Sequence, residues 1–116
     1  IHQESINVTN KIFSPRKMTE NIAWHLATQT KNNLVRIHCY APPDTPAYMM
    51  GDPTLIEQIL LRLADNALKH TSEGEIYIGC EIVEMYTEAA LAIMRFEVRD
   101  TGIGIKTEKL KLFSVK

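Results

Sequence analysis

The feature that most constrains this chain is a change of hydrophobic period within one short stretch. From Leu55 through Ile56, Ile59, Leu60, Leu63, Ala64 and Ala67, apolar residues recur every three or four positions, the spacing of a helix face. Beyond Gly74 the spacing drops to two: Ile76, Ile78, Cys80 and Ile82, then Met94, Phe96 and Val98 set against Arg95, Glu97 and Arg99. A helix cannot bury the second pattern on one face, nor a strand the first, so these are separate elements that share a core. The polar "EMYTEAA" between the alternating runs predicts an antiparallel hairpin of "EIYIGCEIV" and "AIMRFEVRD".

Punctuation residues set the remaining boundaries. Asp52-Pro53 opens the apolar helix, with Asp52 as cap and proline at the first helical position, and the helix ends near Thr71 before Gly74. Ser14-Pro15 opens an earlier helix by the same device. Along it Met18, Ile22 and Leu26, joined by Trp24 and Ala27, recur at helical spacing to about Asn33. "LVRIHCY" (34–40) alternates Leu34, Arg36 and His38 with Val35, Ile37 and Cys39, and Pro42-Pro43 stop it as a strand. "PPDTP" reads as loop, "INVTNKIF" as a short edge strand at the front, and "KTEKLKLF" as the start of a short helix. The order helix, strand, helix, strand, strand predicts an α/β fold. Its economical packing is a two-layer sandwich with helices on one face of a mixed, mainly antiparallel sheet.

Bulk chemistry narrows the function classes. The chain has 116 residues, 45% of them apolar, which suits one domain with one packed core. A formal charge of −1 and a pI near 6.5 argue against a nucleic-acid or anionic-lipid partner. Cys39 and Cys80 lack metal-ligand spacing and read as buried thiols of a reducing compartment, with a disulfide as the alternative. No apolar run approaches the roughly 18 residues needed to span a membrane. An opening Ile1 in place of methionine points to a piece of a longer protein.

Two stretches can carry chemistry. Arg62, Asn66, Lys69 and His70 stand at i, i+4, i+7 and i+8, a polar stripe on an otherwise apolar helix. Asparagine is a mediocre helix former, so Asn66 in the helix body calls for a reason. The stripe is either solvated surface or a source of amide oxygen and cations for a metal-bound polyphosphate. The second stretch is Asp100-Thr101-Gly102-Ile103-Gly104, at the end of an alternating run. It is either a turn or the floor of a pocket where glycines admit a flat ligand and the carboxylate accepts from its amino group. A strand ending in Asp-Thr-Gly is also the signature of aspartic proteases. The 16 residues after Asp100 are too few for a flap and further barrel strands, and long helices are foreign to that all-β fold.

Together "GDPTLIEQILLRLADNALKHT" (51–71) and "VRDTGIGI" followed by "LKLF" resemble the catalytic, ATP-binding domain of sensor histidine kinases. That family stands with type II topoisomerases, heat-shock chaperones and mismatch-repair ATPases. "FSPRKMTENI" (13–22) is similar to the family's first helix, so the resemblance covers nearly the whole chain. It implies the Bergerat-type ATP-binding fold, with ATP and Mg2+ as cofactors. Asn66 matches the magnesium-binding asparagine of the N box, and Lys69 a residue near the phosphates. His70 stands where an aromatic residue often lies beside the adenine. Asp100 matches the carboxylate that accepts from the adenine amino group. Gly102 and Gly104 match the glycines beneath the base and at the mouth of the lid; Ile105 follows them in the same nucleotide-binding set, and Phe113 matches the F-box phenylalanine.

The implied partners are the protein's own histidine-containing dimerisation domain and, through it, a response-regulator receiver domain. The implied setting is cytoplasmic, in a parent that can be anchored in the inner membrane. The implied reaction is transfer of the γ-phosphoryl group to the dimerisation-domain histidine. None of His2, His25, His38 or His70 is followed by the acidic residue of the family's acceptor motif, so this chain alone should not autophosphorylate.

The resemblance has two departures. Arg62 occupies the position where these kinases usually carry another asparagine and the related ATPases a water-activating glutamate. It can reach a phosphate or pair with Asp65 on its own helix. The glycine-rich G2 box, the rest of the lid and the last strands are also expected beyond the residues given. A non-catalytic relative serving as a docking or regulatory module is therefore the alternative reading.

Overall fold

A computed structural model describes residues 11–30, 34–86, 88 and 91–101 in full, and 106–115 as backbone. The elements run β1 (Lys11–Phe13), α1 (Pro15–Gln29), β2 (Val35–Tyr40), β3 (Met49–Gly51), α2 (Pro53–Lys69), β4 (Gly74–Tyr86), β5 (Leu91–Asp100) and β6 (Lys106–Val115). The strands form one sheet in the order β1-β3-β6-β5-β4-β2, antiparallel except where β2 lies parallel to β4.

Both helices start as their sequences dictate. The Ser14 hydroxyl accepts from the Lys17 amide at 3.1 Å, and Asp52 Oδ1 accepts from the Leu55 amide at 3.1 Å. Each cap satisfies one otherwise orphaned donor, a contribution of about 1 kcal/mol. Met18, Ile22 and Leu26 of α1 meet Ile56, Leu60, Ala64 and Ala67 of α2 over one face of the sheet. That face is built from Ile76, Ile78 and Cys80 of β4 and Ala92, Met94, Phe96 and Val98 of β5, one alternation phase of each strand. The helices therefore share one side, and the sequence expectation of a two-layer α/β sandwich holds.

Four local expectations are corrected. Trp24 is 72% exposed and Ala27 is exposed too, so they leave the apolar face of α1. The reason is angular: Trp24 is two residues from both Ile22 and Leu26, about 200° round the helix. "KTEKLKLF" forms not a helix but the first part of β6, which pairs with β5 from Asp100–Lys106 to Leu91–Val115. Leu110 and Leu112 are two apart, a strand spacing, and the edge of β5 offers a full row of backbone partners. β3 lies between the loop "PPDTP" and α2, where the sequence offered no element, and Met49 pairs there with Phe13. Finally, Cys80 is buried but Cys39 is exposed, because β2 is an edge strand and Cys39 lies toward its end beside Pro42-Pro43; both thiols are free.

Candidate functional site

Asp100 is the last residue of β5 and continues the phase of Met94, Phe96 and Val98, so it lies on the helix-bearing face. It is 4% exposed, one of three buried polar residues, with Thr19 and Thr71, among those described. The strand end that carries it is tied down on both sides. The Thr101 amide donates to the Glu75 carbonyl at 3.1 Å, and the Glu75 amide donates to Thr101 Oγ1 at 3.0 Å. The Gly74 amide donates to the Leu34 carbonyl at 2.9 Å, which joins β2 to the same corner. Gly74 has φ +133°, and a Cβ there would stand 2.7 Å from Thr101 Oγ1, so the corner requires glycine.

The last turn of α2 ends at that corner, since only Thr71, Ser72 and Glu73 separate its cap, His70, from Gly74. Arg62, Asn66, Lys69 and His70 are all exposed. His70 folds back on its own helix, with Nδ1 2.7 Å from the Asn66 carbonyl; donating there puts the ring proton on Nδ1 and leaves Nε2 as acceptor. Asp65, offered by the sequence as a partner for Arg62, instead meets His25 Nε2 of α1 at 3.0 Å. α1 thus lies on the Asp65 side of α2. Asn66 stands about 100° further round, on the flank turned away from α1.

Sequence reasoning missed Thr71. It is 3% exposed, and its hydroxyl has no hydrogen-bond partner among the described residues. A signal was there: Thr71 continues the buried series Ala64 and Ala67 at helical spacing, a polar residue at an apolar phase. An unsatisfied buried hydroxyl costs roughly 1–3 kcal/mol, which gives this corner a polar group in need of a partner.

The structure brings Asn66, Lys69, His70, Thr71 and Asp100 to one end of the sheet, all on its helical side. Gly102, Gly104 and Ile105 lie outside the described residues. Phe113 sits in β6 opposite Ile93, seven residues along β5 from Asp100, or about 23 Å of strand. Among the described residues no three His, Cys, Asp or Glu side chains gather to hold a metal. Asn66 offers one exposed amide oxygen, a donor set that suits magnesium only when phosphates and water fill the rest of its shell.

On the sheet's other face, side chains form rungs across β2, β4 and β5. Arg36 and His38 both bond Glu75, and His38 stacks on Tyr77 with ring centroids 4.7 Å apart. The Arg99 guanidinium covers Tyr77 at 4.5 Å, the Tyr40 hydroxyl donates to Glu97 at 2.7 Å, and Arg95 pairs with Glu81. Hydrogen bonds from His38 and then Arg36 hold the Glu75 carboxyl below its ordinary range. Partial burial, then the bond to Glu97, pushes the Tyr40 phenol up to about 12.

A helix-bearing sheet with a buried carboxylate at one strand end, beside a polar stripe on the overlying helix, defines a two-layer α/β domain. Residues 51–116 match the family of histidine kinase-, DNA gyrase B- and HSP90-like ATPases, and the chain belongs to it. The sensor histidine kinase RcsC of Salmonella typhimurium is 30% identical over 114 residues, which cover 97% of this chain and 11% of the relative. The fold matches full-length ShkA in complex with AMPPNP at a TM-score of 0.70 and 21% identity, over 84% of this chain and 19% of that one. It matches the nucleotide-free catalytic domain of the histidine kinase ThkA at 0.64 and 21% identity, over 81% and 59%. The chain thus spans about a tenth of the length of the curated relative, and its kinship is with the ATPase domain of histidine kinases.

Proposed function

We propose that this chain, as a single partial domain over residues 1–116, binds Mg-ATP for a two-component sensor histidine kinase. Asp100 accepts the adenine amino group, and Asn66 and Lys69 on the last turns of α2 face the phosphates. Gly102, Gly104 and Ile105 complete the pocket by resemblance, whereas Phe113, seven rungs along the sheet from Asp100, stands apart from it. The observation that carries this reading is the buried Asp100 carboxylate at the same sheet end as the exposed Asn66–Lys69 stripe. The likeness of fold to ShkA in complex with AMPPNP, an ATP analogue, supports it.

Asn66 would hold magnesium through its amide oxygen, and the ion would neutralise phosphate charge. The chain's own residues orient the nucleotide and exclude water from the base. In the whole protein the γ-phosphoryl group passes to a histidine on a separate dimerisation domain, a transfer governed by positioning and charge neutralisation. A receiver domain then takes it, and the setting is the cytoplasm.

Titration calorimetry of ATP, ADP and GTP against wild type and Asp100→Asn tests the reading. A charge-assisted hydrogen bond in a partly buried site contributes roughly 1.5–3 kcal/mol, so Asp100→Asn should weaken ATP and ADP alike by about ten- to a hundredfold. GTP should compete poorly, because its 6-oxo group meets the carboxylate acceptor to acceptor. Equal binding of GTP and ATP would remove the base pocket. Arg62 favours a second reading, a non-catalytic docking module, and nucleotide binding that wild type lacks altogether would select it.

A further inference from the structure

The arginines of this chain are not alike. Arg16 donates to the carbonyls of Ala41 and Pro42 at 2.9 and 3.1 Å, Arg36 pairs with Glu75, Arg95 with Glu81, and Arg99 covers the Tyr77 ring. Each ties a strand or loop to its neighbour. Arg62 is exposed and has no partner among the described residues. Asp65, the carboxylate three residues along its own helix, is turned to His25 of α1. One turn after Arg62 comes Asn66, and Lys69 follows three residues later, so the guanidinium opens a stripe of exposed cation, amide and cation. The stripe runs along α2 toward the corner where Asp100 and Thr71 are buried.

We infer that Arg62 grips the polyphosphate of the bound nucleotide directly, so that this chain holds a nucleoside triphosphate with little dependence on a divalent cation. The inference rests on the nucleotide reading above and adds the group that neutralises the phosphates. A guanidinium is a permanent cation with five donors in a fixed fork, which suits two phosphate oxygens at once. It delivers without an ion what a carboxamide can deliver only through a bridging metal. Because neither a carboxylate nor a backbone carbonyl of the described residues engages Arg62, phosphate binding breaks no internal bond.

The test is calorimetric titration of the full chain with AMPPNP and with adenosine, each in magnesium and in EDTA. Wild type should lose less than about threefold in AMPPNP affinity when magnesium is removed, whereas Arg62→Asn should lose about tenfold or more in EDTA. Adenosine, which has no phosphate, should bind both proteins equally. Arg62→Lys keeps the charge without the fork and should fall between them. Lys17→Asn removes one exposed charge from α1 and should leave all four titrations unchanged. An unchanged denaturation midpoint for Arg62→Asn keeps a folding defect out of the reading. AMPPNP binding in EDTA that is identical in wild type and Arg62→Asn overturns the inference and leaves the nucleotide reading standing. A wild type that binds neither adenosine nor AMPPNP overturns both.

Discussion

The same three strands, β2, β4 and β5, present two unlike faces. Toward the helices, Ile76, Ile78, Met94, Phe96 and Val98 are sealed at 0–1% exposure in one apolar core. Away from them, Arg36, His38, Tyr40, Glu75, Tyr77, Glu81, Arg95, Glu97 and Arg99 stand in cross-strand rungs, with the Arg36 side chain 66% exposed. Alternation assigns each residue to one face or the other. The helical face is held by area removed from water, which is non-directional and tolerates little loss of volume. The opposite face is held by pairs whose strength depends on register and is diluted by solvent. The Asp100 corner belongs to the first face, yet Glu75, a residue of the second, ties it down through its own backbone amide and carbonyl, which bond Thr101.

The sharpest way to break this comparison is to truncate one neighbour pair across the sheet plane. Phe96→Ala should destabilise by about 3–5 kcal/mol, because the cavity lies in a packed core. Arg95→Ala, adjacent in sequence but on the other face, should cost about 1 kcal/mol or less. Urea denaturation of both variants measures the contrast. Comparable losses would mean that the polar rungs, not the core, hold β5.

A smaller effect should come from Gly79, where the two faces are not equally forgiving. Tyr40, Gly79 and Glu97 are register partners in a row, and the Tyr40 ring lies across the glycine to reach Glu97. A Cβ on residue 79 would stand 2.0 Å from that ring. Gly79→Ala must displace Tyr40 and break its hydrogen bond, an expected cost of about 1–3 kcal/mol. In a Tyr40→Ala background the same substitution should be nearly neutral, and a double-mutant cycle reads the difference. A full cost in both backgrounds would put the strain in the strand itself.

What was legible in the sequence follows the same division. Helical spacing over α2 and alternation over β4 and β5 are imposed by burial, so core and layer order could be read directly. Asn66 and Asp100 stood out because each breaks a local pattern, a carboxamide on an apolar helix and a carboxylate at an apolar strand phase. Thr71 broke its pattern too, but at the helix end, where polar residues are ordinary. The rungs were not legible, because His38, Tyr77 and Arg99 become neighbours only once β2 and β4 pair in parallel and β4 and β5 antiparallel. β6 was misread because two leucines are too few to fix a period, and the neighbouring edge of β5 decides the outcome.

The smallest effect expected is a pH dependence that Tyr40 gives to the solvent-facing side. Tyr40 ionises at about 12 in the folded chain, where partial burial and the bond to Glu97 both favour the neutral phenol. Unfolded, it should ionise near the ordinary value of about 10. A group whose folded pKa is raised contributes stability that is fully present below the unfolded value and is lost as pH rises through the folded one. The window is therefore pH 10 to 12, and the direction is loss with rising pH. Tyr40→Phe should match wild type in its pH slope below that window, after a constant offset for the lost bond, and should fall less steeply within it. Tyr86, also raised through its bond to Glu84, is common to both proteins and cancels in their difference. Denaturant midpoints of wild type and Tyr40→Phe at pH 9 and pH 11 measure the slope, and phenolate absorbance locates the titration. Parallel slopes across the window would show that Tyr40 does not hold its proton for Glu97 and that this rung is no tighter than solvent.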